Sequence, residues 1–232
     1  MHLPTRTALA LLGLVSLGFA TALPVRADIA ELTLMSQPGD FIGQGQTKDI
    51  IYTPANSSSF SASVVTLVNG MPAFARFVMG TVTGSNATNT FALLDFATNQ
   101  LGIALQTGSY GSPGNTAQRA SFAQPGHAGL DVSFQNRGSN TLTGNFTVNY
   151  AKFFQDMSNN WQVGAFDVTF EQHSEGATPA LFGHFTFTRT GFAIPTVPET
   201  GSGVLLLLSS LVGLITARTY LTKRERRSSA PR

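Results

Sequence analysis

The chain has 232 residues, 42% of them hydrophobic and 11% charged, and its lack of cysteine excludes disulfides, thiol catalysis and thiolate metal sites. Its formal charge of +2 comes from the two ends, because residues 28–196 contain six basic and ten acidic residues, a net charge of −4. Without a basic patch, this central part does not have the electrostatic character of a nucleic-acid-binding protein, and we expect no nucleic-acid partner.

Residues 1–27 have the three regions of a signal peptide. Arg6 supplies the positive charge, residues 8–23 form the apolar helix, and Val25-Arg26-Ala27 is a small-x-small cleavage site. The sequence therefore predicts export, removal of the signal helix by signal peptidase, and a mature chain that begins at Asp28.

Residues 28–190 are predicted to form one all-β domain, because hydrophobic and polar residues alternate with a period of two. The clearest strands, Thr143–Phe154 and Val163–Phe170, flank a turn at residues 158–160 and should form a hairpin, and Leu181–Thr188 is a third. The shorter predicted strands are Ile50–Thr53, Phe60–Val68, Ala73–Val82, Thr90–Ala97, Gly102–Thr107, Gln118–Phe122 and Leu130–Phe134. About ten strands indicate a two-sheet sandwich or jelly-roll, with Trp161 and the phenylalanines in its core.

One cluster in the domain has the residue types of a metal site. Glu171, His173 and Glu175 would share one face of a strand, and carboxylates with imidazole bind hard or borderline metals. The alternation that buries Phe170 places all three in solvent, so we favour a solvated strand face, with no metal or cofactor. Arg137 is the expected ion-pair partner of one of these carboxylates.

Catalytic motifs are not found elsewhere in the domain. The sequence has no Gly-x-Ser-x-Gly elbow, and its histidines lack the spacing of catalytic dyads or zinc enzymes. A pair of carboxylates for glycoside hydrolysis remains an alternative, although no pair is singled out. We therefore expect a protein that is not an enzyme.

The C-terminal region combines three features of a sorting signal. A linker, residues 191–203, contains the signature Val197-Pro198-Glu199-Thr200-Gly201. An apolar segment, residues 204–221, is predicted to be a transmembrane helix, and the basic tail, residues 222–232, should stay in the cytoplasm because its charges cross a bilayer at high cost. This short segment suits a transient anchor.

The signature, the leucines at 205–208, the Gly213-Leu214 pair and the terminal arginines resemble the PEP-CTERM signals read by exosortases of Gram-negative bacteria. Thr200 replaces the second proline of the common form, so the signature is closer to the Val-Pro-Asp-Ser-Gly variant. It is also similar to the Leu-Pro-x-Thr-Gly signal of cysteine sortases, and an ordinary permanent anchor is a third interpretation. The resemblance implies processing by an exosortase, with a sortase as the alternative.

Residues 125–187 resemble a module of uncharacterised exported bacterial proteins, through the segments at 129–133, 136–144, 170–176 and 179–181. Members of that module often carry cysteine where Ser139 and Ser174 stand here. The resemblance therefore implies that these two serines face each other, close enough for a disulfide to join their positions, and it implies no activity.

Together these features predict an exported cell-surface or extracellular-matrix protein, anchored in the membrane as a precursor and then processed. Its expected partners are signal peptidase, the sorting enzyme and extracellular polysaccharide. The alternatives are a carbohydrate-binding or adhesive module, which exposed aromatic residues on a concave sheet would favour, and an extracellular hydrolase, which would need two carboxylates converging in a cleft.

Overall fold

A computed structural model describes residues 27–82 and 90–195. The predicted signal peptide up to residue 26, the loop 83–89, and the predicted sorting signature, apolar helix and basic tail lie outside the described residues. Within the described ranges the protein is all-β and has no α-helix, which confirms the predicted fold class for this part of the chain.

Two sheets pack face to face. The larger sheet is antiparallel, with the strand order β2 (Thr47–Tyr52), β1 (Ile29–Ser36), β11 (Ala180–Thr188), β10 (Trp161–Ser174), β9 (Leu142–Gln155) and β6 (Gly108–Tyr110). The smaller sheet has the order β3 (Phe60–Val68), β4 (Met71–Met79), β5 (Ala92–Ala97), β8 (Gly129–Phe134) and β7 (Gln118–Arg119). Only the short β7 runs parallel to its neighbour. Two single-turn 3-10 helices, Asn99–Leu101 and Ala120–Phe122, lie in the long connection between β5 and β8.

Phenylalanines from both sheets form the centre of the core. The ring of Phe77 on β4 lies 5.2 Å from that of Phe166 and 4.7 Å from that of Phe185, which belong to the opposite sheet. Phe96 on β5 lies 5.4 Å from Phe146 on β9. These tilted contacts are typical of buried aromatic pairs and hold the two sheets together.

The predicted alternation is confirmed along β10, which forms a hairpin with β9. Phe166, Val168 and Phe170 are buried, while Asp167 and Thr169 face outwards. Asn159, in the predicted turn, has a φ of 61°, a left-handed conformation that asparagine tolerates better than most residues. Strand β11 likewise buries its predicted inward residues.

Other predictions were wrong in part. Strand β1 was not predicted, although it alternates in the same way and lies between β2 and β11 in the larger sheet. The strand predicted at Gly102–Thr107 does not form, because Gly102 closes a 3-10 turn in a left-handed conformation. The segment after it, predicted as a loop, pairs with β9 as β6. Trp161, predicted to lie in the core, is the first residue of β10 and is only half-buried.

The two ends of the domain are joined to each other. The Asp28 carboxylate accepts hydrogen bonds from the backbone N–H of Thr190, at 2.8 Å, and from its hydroxyl, at 2.9 Å. Phe192 then stacks on Phe154, with 4.8 Å between the ring centroids. The chain therefore enters and leaves at the same end of the sandwich, and ordered packing continues two residues beyond the predicted boundary at 190.

Candidate functional site

The predicted metal-like cluster is divided between two roles. Glu171 and His173 face outwards together, and their side chains are 3.0 Å apart. The other ring nitrogen of His173, Nδ1, lies 2.9 Å from the carbonyl of Thr178, which can only accept, so Nδ1 donates. Glu175 forms its hydrogen bonds elsewhere, with Asn140 and Thr141. Within the described ranges no three His, Asp or Glu side chains converge on a metal-sized site.

Glu175 instead fixes the loop that precedes β9. Its carboxylate accepts hydrogen bonds from the backbone N–H of Asn140 and from the hydroxyl of Thr141. The bond from Asn140 lowers the pKa of Glu175 because it favours the charged form. This residue therefore has a structural role at the turn after β10.

The predicted partnership of Arg137 was wrong, because no carboxylate in the described residues lies within ion-pair distance of it. The arginine–carboxylate pairs form elsewhere. Arg76 on β4 makes a two-pronged contact with Asp95 on β5, at 2.8 and 2.6 Å. Arg119 on β7 contacts Asp131 on β8 at 3.0 Å. Sequence analysis missed both pairs, although a single aspartate inside each apolar strand was a visible signal.

These four side chains form a charged row across the outer face of the smaller sheet. Asp95 and Asp131 lie directly opposite each other in the register of β5 and β8, with an arginine on either side. Burial raises the pKa of both carboxyl groups, and this effect exceeds the opposite effect of the arginines. The Oδ1 atom of Asp131 is buried without a hydrogen-bond partner. The two carboxylates of the row are therefore buried at a cost in desolvation free energy that the partly exposed arginines only partly offset.

Two adjoining pockets lie at the end of the sandwich opposite to the chain ends. One, of about 260 Å³, is lined by Gly111, Pro113, Thr116, Thr143, Gly144, Asn145 and His173. The other, of about 270 Å³, is lined by Thr116, Gln118, Arg119, Phe122, Asn140, Thr141, Leu142 and Thr143. Because they share Thr116 and Thr143, we describe them together as the Thr116–Thr143 groove. A third pocket, of about 260 Å³, lies beside the edge strand β2.

Close backbone packing fixes the position of one wall of the groove. Gly111, with a φ of 87°, lies so close to β9 that a Cβ there would be 2.6 Å from the Gly144 carbonyl oxygen. Ala117 donates its N–H to the same carbonyl at 2.8 Å, and the His127 ring donates to the carbonyl of Thr116 at 2.9 Å. These contacts fix the wall of the groove against the larger sheet.

Exposed aromatic side chains are few in the described residues. Phe41 is 54% exposed in the turn after β1, and Phe122 is 65% exposed in the second 3-10 helix. Neither lies on a sheet face, where a carbohydrate-binding module of the expected kind would carry them. Phe122, however, lines the groove, and the Arg119 guanidinium lies 5.0 Å from the centroid of its ring.

No helix in ranges 27–82 and 90–195 is long and apolar enough to cross a membrane. The predicted membrane segment, residues 204–221, and the signature Val197–Gly201 lie outside these ranges. Comparisons with protein-family models, with curated proteins and with solved structures give no match for this chain.

Proposed function

We propose that this protein is exported, anchored transiently by its C-terminal segment, and processed at Val197–Gly201 to become a cell-surface or extracellular-matrix protein. Signal peptidase removes residues 1–27, and an exosortase-type enzyme reads the signature. The β domain is delivered to the surface as a non-catalytic unit.

The observation that supports this proposal is the contact between Asp28 and Thr190. Asp28, the predicted first residue of the mature chain, is joined to the far end of the described domain, because its carboxylate binds Thr190, two residues after the last strand. The folded unit thus occupies the interval between the two predicted sorting signals. Cleavage at both would leave the sandwich complete.

The ion pairs and hydrogen bonds of the carboxylates support a non-catalytic domain. Asp95 and Asp131 are neighbours, as a hydrolase would need, but arginines hold both of them and neither lines any of the three pockets described above. Glu171 is bound by His173 and Asn145. Glycoside hydrolases need one carboxyl group free to donate a proton and another to act as base or nucleophile.

Substitution of the signature in the native host tests the proposal. With Pro198→Ala and Glu199→Ala together, we expect the full-length precursor to accumulate in the membrane fraction, because the processing enzyme no longer recognises its site. Pro195→Ala, just before the signature, is the matched control and should be processed normally. Deletion of the exosortase gene should reproduce the block, and deletion of a sortase gene should not.

Normal release of the doubly substituted protein would contradict the proposed signal. A block caused by loss of a sortase alone would assign processing to that enzyme family instead.

A further inference from the structure

The Thr116–Thr143 groove has a lining that neither export nor C-terminal processing requires. Most of its side chains carry hydroxyl or amide groups: Thr116, Gln118, Asn140, Thr141, Thr143 and Asn145. Such groups both donate and accept hydrogen bonds, as do the hydroxyls of a sugar. At the side of these polar groups lies Phe122, whose ring is mostly exposed.

We propose that this groove binds a neutral, hydroxyl-rich oligosaccharide segment of an extracellular polymer. The exposed ring of Phe122 offers an apolar surface on which the C–H face of a sugar ring packs. The hydroxyl and amide groups then bind the sugar hydroxyls around it. Arg119, stacked against Phe122 and bonded to Asp131, restrains the aromatic ring.

The charges around the groove favour a neutral ligand over an acidic one. Arg119 and the His173 imidazole, whose two nitrogens both contact acceptor oxygens, lie in the lining, but three carboxylates contact residues of the same lining. Glu171 binds the side chains of Asn145 and His173, Glu175 binds the Asn140 backbone N–H and the Thr141 hydroxyl, and Asp131 binds Arg119. A polyuronate would meet net negative potential here, and its approach would be disfavoured.

The placement of the groove suits a protein attached by its C-terminus. Strand β9 begins with Leu142 in the groove and ends at Gln155, beside the end where the chain leaves the domain. Fourteen extended residues span roughly 40 Å. The groove therefore faces away from the point of attachment and towards the surrounding polymer.

This inference rests on the proposed function in one respect only, because export is what brings the groove into contact with an extracellular polymer. The test of binding does not depend on processing. The full-length chain, purified in detergent, is titrated with cellohexaose, maltohexaose and chitohexaose, and with hexagalacturonate as the acidic comparison. Ligand-observed NMR and calorimetry report binding. We expect at least one neutral hexasaccharide to bind, and more tightly than hexagalacturonate.

Three variants locate the site. Phe122→Ala should weaken binding about tenfold through loss of the stacking surface, and Thr143→Val should weaken it several-fold through loss of one hydroxyl. Phe41→Ala, which removes the other exposed phenylalanine, is the matched control and should bind as the wild type does. Circular dichroism checks that each variant is folded.

Three results would overturn the inference: no neutral hexasaccharide binds, hexagalacturonate binds more tightly, or Phe122→Ala has no more effect than Phe41→Ala. None of them would affect the proposal of processing at the C-terminal signal.

Discussion

Replacement of Arg76 by methionine is expected to lower the free energy of unfolding by about 2 to 3 kcal/mol at neutral pH, a fall in melting temperature of roughly 5 to 10 °C. The methionine keeps the length of the side chain but leaves Asp95, only 1% exposed, as a buried carboxylate without its partner. The effect is smaller than for a fully buried pair because Arg76 is 35% exposed and therefore partly screened by solvent.

The stability lost in the Arg76→Met variant should decrease as the pH falls. Burial already raises the pKa of Asp95 in the wild type, and removal of Arg76 raises it further because two favourable contacts of the charged form disappear. Below the ordinary aspartate pKa of about 3.9, the carboxyl is neutral in both the folded and the unfolded state. The difference between variant and wild type should therefore be largest near pH 7 and shrink towards pH 3.5.

Urea unfolding of both proteins at the two pH values measures this difference. Arg137→Met removes an arginine that has no ion pair with a described carboxylate, and it should change stability by no more than about 0.5 kcal/mol. The double variant Arg76→Met, Asp95→Leu should recover most of the loss because no charge remains buried. A loss that is equal at both pH values would contradict the buried-carboxylate explanation.

Introduction of cysteine at both Ser139 and Ser174 is expected to stabilise the oxidised protein by about 3 to 4 kcal/mol, less any strain. The two serines are buried, and the Oγ atoms are 2.8 Å apart. Sulfur–sulfur bonds are about 2.05 Å long, and the longer carbon–sulfur bonds carry the two atoms towards each other. The bridge would join two positions that are thirty-five residues apart in the sequence.

Thiol titration and urea unfolding with and without reductant measure this gain. The variant Ser139→Ala, Ser174→Ala removes the hydrogen bond without adding a bridge, and it should lie within about 1 kcal/mol of the wild type because no polar group remains unpaired. An oxidised protein that is less stable than its reduced form would show that the backbone does not fit a disulfide at these positions.

The hydrogen bond between Ser139 and Ser174 shows that a sequence resemblance can predict a contact between residues far apart in the chain. The resemblance to an exported module implied that two positions far apart in the chain face each other, and their hydroxyls do form a hydrogen bond. Local alternation predicted most long strands, since one face of each lies in the core. It did not predict β6, because a three-residue strand is determined by its pairing with β9 and not by its own residues.

The charged row and the groove could not be found by alternation alone. Asp95 and Asp131 occupy outward positions, which a pattern assigns to solvent, but they are buried beside their arginines. Arg137 was chosen as the partner of a carboxylate because such a contact could join two strand ends in a charge-poor domain, whereas the arginine–carboxylate pairs that form join neighbouring strands of the smaller sheet. The groove is built by residues 111–122, a segment that includes β7 and the second 3-10 helix, against the start of β9, a tertiary contact without local periodicity.

The intact mass of the mature protein, isolated from its native host, tests the central claim most directly. The proposal predicts a chain that begins at Asp28 and ends within Val197–Gly201, alone or carrying an attached group at that end. A chain that still extends to Arg232 would contradict processing at the C-terminal signal and would indicate a permanent membrane anchor.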